Sequence, residues 1–222
     1  MSLGTIESSR GLRPSRALRG FLTDCVPSEI SGGRFVKGGG NVQFQKNVTL
    51  KDGRACVVRA ATAADGPAVL ENFNLTHGET DFLLTYPEEN RFDAAAESQY
   101  LQKMADSERE IEIVAEVDGK IVGTAGVESL GNKLKLRHRA EFGVSVARAF
   151  WGLGVGRALL EACVECARRA GYTQLELTAV AENERALSMY RRAGFVEFGR
   201  NPKGFRKSDG GYQTLVSMRM EL

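Results

Sequence analysis

A glycine-rich run, Phe150-Trp151-Gly152-Leu153-Gly154-Val155-Gly156-Arg157, stands between a stretch that reads as a strand (141–146) and one that reads as a helix (155–170). Glycines at alternate positions remove the side chains that would screen successive backbone N–H groups. The positive end of the following helix dipole adds to those donors, so a turn of this kind cradles phosphate oxygens. The bland alternative is a tight turn whose glycines serve close packing alone. A dinucleotide fingerprint counted from Gly152 would need glycine where Arg157 stands, and a P-loop would end in Gly-Lys-Ser or Gly-Lys-Thr. Neither pattern fits, so a different anionic ligand is expected.

The loop sits inside a longer alternation of elements. Residues 54–60 read as a strand, followed by a helix that opens at Thr62 with Asp65 three residues on and runs to about residue 75. A second helix is expected over 92–107. Residues 111–117 and 120–128 flank Asp118-Gly119, a strong hairpin signal. After the loop and its helix, which Gly171 ends, come a strand at 174–180 and a helix at 182–193 stopped by Gly194. Strands near 196–200 and 212–220 complete the chain. The helix between strands 141–146 and 174–180 predicts a parallel, right-handed crossover, and the remaining pairs are expected to be antiparallel. The fold class is therefore α/β (α+β), with a mixed, mostly antiparallel sheet and helices on both faces.

A second motif lies downstream: Asn183-Glu184-Arg185-Ala186-Leu187-Ser188-Met189-Tyr190-Arg191-Arg192-Ala193-Gly194-Phe195. Ala186 and Tyr190 are four apart and share a helix face, and Asn183 lies in the first turn, so these side chains can approach one ligand. Taken singly, Tyr190 reads as a packed boundary residue and Asn183 as a cap. With the glycine loop upstream, the pair resembles the GNAT superfamily of acyl-CoA-dependent N-acyltransferases over about residues 54–220. The family's second motif, N-x-x-A-x-x-x-Y-x-x-x-G-F, is matched at every fixed place. Its pyrophosphate loop, Q/R-x-x-G-x-G/A, is matched except at the first position, where Trp151 stands.

The resemblance implies acetyl-CoA as cosubstrate, held by Val144, Val146, Trp151, Gly152, Leu153, Gly154, Val155, Gly156, Arg157 and Asn183, with no metal. It implies Tyr190 as general acid for the leaving thiolate. The strand at 144–146 would polarise the thioester carbonyl through a backbone N–H and offer a splayed edge to pantetheine. Glu141, on the same strand, is the candidate base, against the alternative of a cross-strand ion pair with Arg139. A lysine-like ammonium needs such a base, whereas an α-amine, with a pKa of about 8, hardly does. The segment joining the first two helices often shapes the acceptor pocket in the family, which makes Glu79, Asp81 and Tyr86 substrate-binding candidates against a plain solvated loop. The expected activity is acetyl transfer to a primary amine, small or on a protein, by direct attack. The alternatives are transfer of a longer acyl chain and a CoA-binding regulator without chemistry. A homodimer is implied by the resemblance alone.

Composition narrows the setting. The chain has 222 residues, 42% hydrophobic and 26% charged, enough for one filled core. Its formal charge of +2 argues against a generic nucleic-acid binder. No apolar run approaches the roughly 18 residues of a membrane span, and the first residues lack a signal pattern, so a cytoplasmic protein without membrane contact is expected. Seven Lys or Arg against three Asp or Glu give residues 1–46 a net +4 and leave −2 for the rest. That segment, with 8 of the 25 glycines, reads as a basic extension, and a catalytic domain is expected over 47–222. Cys25, Cys56, Cys163 and Cys166 are expected as thiols, and the spacing of Cys163 and Cys166 with no second pair implies no metal. His77 and His138 have no ligand-like spacing either.

Overall fold

The computed structural model describes residues 34–38 and 41–222. Nine strands form a single sheet: β1 (Arg34–Gly38), β2 (Asn41–Thr49), β3 (Ala55–Ala60), β4 (Ile111–Val117), β5 (Lys120–Ser129), β6 (Arg139–Val146), β7 (Gln174–Val180), β8 (Val196–Arg206) and β9 (Tyr212–Glu221). Their spatial order is β1-β2-β3-β4-β5-β6-β7-β9-β8. Every neighbouring pair is antiparallel except β6 and β7, which are parallel. Two residues, Asp118 at φ 51° and Gly119 at φ 74°, make the β4–β5 turn, as the Asp-Gly pair predicts.

Four helices cover the sheet: α1 (Gly66–Gly78), α2 (Ala94–Ala105), α3 (Val155–Arg169) and α4 (Glu184–Ala193). On one face α3 and α4 bury Leu159, Cys163 and Leu187 against Ile113, Phe142, Leu175 and Met218. On the other, α1 and α2 bury Val69, Tyr100 and Leu101 against Ala61 and Val114. The helix starts use local polar chemistry. Asp93 Oδ1 accepts from Ala96 N–H at 2.8 Å, and Asn183 Oδ1 from Ala186 N–H at 3.2 Å. Asp65 accepts from the Thr62 N–H at 2.8 Å and also takes two bonds from the Arg59 guanidinium. Gly194, at φ 105°, ends α4 in the left-handed region that glycine tolerates best.

The structure departs from the sequence reading in three places. The chain between Thr62 and Gly66 is a 3₁₀ turn, so α1 begins three residues later than expected from Thr62 as N-cap and extends to Gly78. Strand β8 continues past the Asn201-Pro202 dipeptide to Arg206, accommodating it through a register shift between Asn201 and Phe205. Strands β1 and β2 add to the sheet from the basic segment, and β2 runs continuously from residue 41 to residue 49. The arginines at 10, 13, 16 and 19, and Cys25, lie outside the described residues.

One discontinuity positions the site. The parallel β6–β7 pairing consists of three rungs, Arg139–Gln174, Ala140–Leu175 and Glu141–Glu176, and then stops. From residue 142 onward β6 keeps its pairing with β5, while β7 keeps its pairing with β9. The sheet therefore opens into a V whose apex is the Glu141–Glu176 rung.

Candidate active site

The Gly-rich loop forms the end of a cleft of about 1520 Å³ running between α3 and α4. Gly152 (φ 81°) and Gly154 (φ 108°) hold conformations that side-chain-bearing residues rarely adopt, and a Cβ on Gly154 would meet nothing within 4 Å. Backbone conformation therefore demands glycine there, and the space above Gly154 is open. Gly154 is the N-cap of α3, so the N–H groups of Val155, Gly156 and Arg157 have no acceptor within the helix. These donors and the helix dipole have the arrangement by which the sequence reading expects an anion to be bound.

Of the ten residues expected to hold the cosubstrate, eight line the cleft: Val144, Val146, Trp151, Gly152, Gly154, Gly156, Arg157 and Asn183. The Leu153 and Val155 side chains turn into the core instead, and the Leu153 carbonyl accepts from Lys51 N–H at 3.0 Å. Arg157 is exposed and bonded to Glu161 Oε1 at 2.7 Å. Asn183 spends its oxygen on the cap of α4 and keeps its amide N–H groups as donors. Trp151 donates its indole N–H to the Val146 carbonyl at 2.6 Å, and the guanidinium groups of Arg148 and Arg185 each lie 5.5 Å from its ring.

Tyr190 lines the same cleft at 7% exposure, edge-on to Phe142 at 6.2 Å and tilted against Phe195 at 6.0 Å. Burial pushes its phenol well above the usual tyrosine range, so it stays protonated. Sequence reasoning treats it as an ordinary tyrosine, whereas the dry wall of the cleft makes it a weaker acid.

Glu141 stands at the apex of the V, and its carboxyl is pushed up to about 7, first by burial and then by the neighbouring Glu176 carboxylate. It makes no ion pair with Arg139, because Arg139 binds Glu176. Glu79, Asp81 and Tyr86 gather around a second cavity of about 480 Å³, with Arg148 and Trp151 in its wall. Two of the three are also tied to distant backbone. Glu79 accepts from Arg148 N–H at 2.7 Å, and the Tyr86 hydroxyl accepts from Ser208 N–H at 3.0 Å. Trp151 borders both cavities.

Sequence reasoning missed the charged lining of the large cleft, where Lys46, Lys51, Arg168, Arg169, Arg185 and Arg192 stand with Glu161, Glu165, Glu182 and Glu184. Only the seven-residue spacing of Arg185 and Arg192 on α4 signals a shared face beforehand. Cys163 and Cys166 are buried in the core, and burial raises both thiols. Among the described residues no group of three or more His, Cys, Asp or Glu is placed to hold a metal ion. No helix among them is long and apolar enough to cross a membrane.

The comparisons with known proteins agree with this geometry. The acetyltransferase (GNAT) family model matches residues 78–195. The N-alpha-acetyltransferase RimI of Mycobacterium tuberculosis is 32% identical over 97 residues, which is 44% of this chain and 59% of that protein, so the match spans less than two thirds of the relative. Among solved structures, the acetyltransferase of the GNAT family from Streptococcus pneumoniae has a TM-score of 0.72 at 25% identity, covering 75% of this chain and 99% of its own. The yncA structure from Salmonella typhimurium, solved with its cofactor acetyl-CoA, shares the fold with a TM-score of 0.66 at 23% identity, covering 75% of this chain and 94% of its own. The chain belongs to the GNAT acetyltransferase family.

Proposed function

We propose that this protein moves acetyl from acetyl-CoA to a primary amine by direct attack, with both substrates bound together. The observation that carries the reading is the opening of the sheet at Glu141 and Glu176, directly before the strand segment that leads into the Gly-rich loop. In this reading the loop and the first turn of α3 hold the pyrophosphate, and the free edge of β6 at Val144 and Val146 aligns the thioester arm. Residues 47–222 carry the catalysis, with residues 1–46 as an extension of it.

The acceptor reaches the apex as an ammonium and loses a proton to Glu141, which is poised to accept one near neutral pH. The amine nitrogen bonds to the acetyl carbon as the carbon–sulfur bond breaks, the Tyr190 hydroxyl gives its proton to the sulfur, and the nitrogen's surplus proton passes to the Tyr190 oxygen, leaving a neutral amide, a free thiol and the restored phenol. Glu79, Asp81 and Tyr86 border the acceptor's path, where the acids suit a cationic amine. Among the described residues no cysteine is placed to carry the acetyl group, because Cys56, Cys163 and Cys166 are buried away from the cleft lining.

The test is thiol release from acetyl-CoA against a panel of amines, with Tyr190→Phe alongside. Turnover with one amine class, falling at least about tenfold in the variant, is the expected result, since general acid catalysis contributes roughly 10²–10⁴. Tight acetyl-CoA binding with no turnover across the panel would favour the regulator reading, and absence of binding would overturn the proposal.

A further inference from the structure

The register of the sheet sets four ionisable residues in one row across adjacent strands. Glu128 of β5 faces Glu141 of β6, Glu141 faces Glu176 of β7, and Glu176 faces Arg219 of β9. Residues paired in this way project from the same face of a sheet. Arg139, two residues before Glu141, projects from that face as well. Its guanidinium does not reach for Glu141. Nη2 donates to Glu176 Oε2 at 2.8 Å and Nε donates to the other oxygen, while Gln174 Nε2 adds a bond to Oε1 at 3.2 Å.

Glu176 is therefore a buried carboxylate, 8% exposed, held by a bidentate arginine and an amide. Its neighbour in the row has no such partner on its own strand. The charge of Glu176 stands one rung from Glu141, at the last point where β6 and β7 touch. We propose that Glu176, clamped by Arg139, is a positioning residue for Glu141: its fixed negative charge sets the pH at which the base takes the acceptor's proton. This rests on the reading of Glu141 as the base.

Further charged and titratable groups stand around the row, Arg109 and Tyr172 among them, with the Arg109 guanidinium 5.0 Å from the Tyr172 ring. On the far side of Glu141, Glu128 accepts from the Tyr100 hydroxyl of α2 at 3.3 Å, and α2 also brings the buried Glu97. Glu110 lies just before β4. His77 of α1 is bonded to the Phe73 carbonyl, and Arg219 pairs with Glu221. Arg139, two residues before Glu141, is spent on Glu176. Burial together with that neighbouring charge accounts for the upward displacement of Glu141 to about 7.

Two variants that break the same ion pair separate charge from scaffolding. Glu176→Gln removes the negative charge, so Glu141 titrates lower by at least about half a pH unit. Arg139→Gln breaks the pair but leaves the negative charge, so Glu141 does not titrate lower. Glu176→Asp keeps the charge and returns the titration toward the parent value. The readout is the carbon-13 titration of labelled glutamate carboxyls in the full chain, with the Glu141 signal assigned by its loss in Glu141→Gln. It needs no acceptor. Movement of both pair-breaking variants in the same direction, or no movement in Glu176→Gln, overturns the inference. Once an amine is turned over, the acidic limb of the kcat profile is expected to follow the same three shifts. A limb that persists in Glu141→Gln shows that the base was misassigned, whereas a limb lost in Glu141→Gln but unmoved in Glu176→Gln rejects the role of Glu176 alone.

Discussion

The indole N–H of Trp151 is bonded to the carbonyl of Val146 at 2.6 Å, so the last carbonyl of β6 is already taken when a ligand strand approaches. A single neutral hydrogen bond contributes about 1 kcal/mol to stability. Trp151→Phe keeps an aromatic ring between Arg148 and Arg185 but removes the donor. A fall in Tm of about 2–4 °C is expected for a chain of this size, read by calorimetry. An unchanged Tm would mean that the bond contributes nothing net.

Gly154→Ala should act through the backbone alone, because space for a methyl group exists while φ 108° suits only glycine. Strain of this kind costs about 1–3 kcal/mol, and relieving it would move the loop's N–H groups. We expect acetyl-CoA to bind at least about tenfold more weakly, measured by titration calorimetry, with the purified variant still folded. Parental affinity would show that the anion site does not depend on this turn.

Glu141→Gln is predicted to be inactive toward lysine-like amines and yet more stable than the parent at pH 8. A carboxyl raised to about 7 in the folded chain binds its proton more tightly there than in the unfolded chain, where its pKa is about 4.3. Stability is therefore lost as pH rises from about 4.5 through 7, and a neutral amide escapes that loss. Thermal melts at pH 4.5 and pH 8 should show a gain of a few degrees for the variant only at the higher pH. A gain of equal size at both would rule out the titration as its source.

Asp65 gives the opposite sign. The Arg59 guanidinium, with help from Thr62, holds its carboxyl down at about 2. Its contribution is fully present above its unfolded value of about 3.9 and drains away as pH falls toward 2, a loss of about 2 kcal/mol in all. Asp65→Asn should lower stability near pH 7 and flatten the acid limb between pH 4 and 2, as followed by urea unfolding. Parallel pH profiles for parent and variant would contradict the assignment.

What the sequence made legible was whatever local chemistry encodes. Asn183 as cap, Gly194 as stop, the Asp118-Gly119 turn and the glycines of the loop each announce their geometry within a few residues. The long β8 was hidden because Asn201-Pro202 reads as a turn, and only pairing with β9 overrides it. Strand β2 carries alternating Val42, Phe44 and Val48, a pattern masked by its basic, glycine-rich surroundings. The site was half visible. Tyr190 and the loop follow from motif spacing, but the neighbourhood of Glu141 and Glu176 exists only through strand register, which no local pattern specifies. Likewise Glu79 meets Arg148, and Tyr86 meets Ser208, across 69 and 122 residues.

Three rungs between β6 and β7, preceded by the Thr173 and Gln174 N–H bonds to the His138 carbonyl, make the narrow backbone seam between a six-strand lobe and a three-strand lobe. Such a seam leaves the two lobes relying on α3 and on whatever lies in the gap between them. A bound pantetheine arm would then be mortar as well as reagent: the molecule would be at its stiffest when loaded and would loosen after each turnover, so that departure of the spent carrier and softening of the sheet become one event.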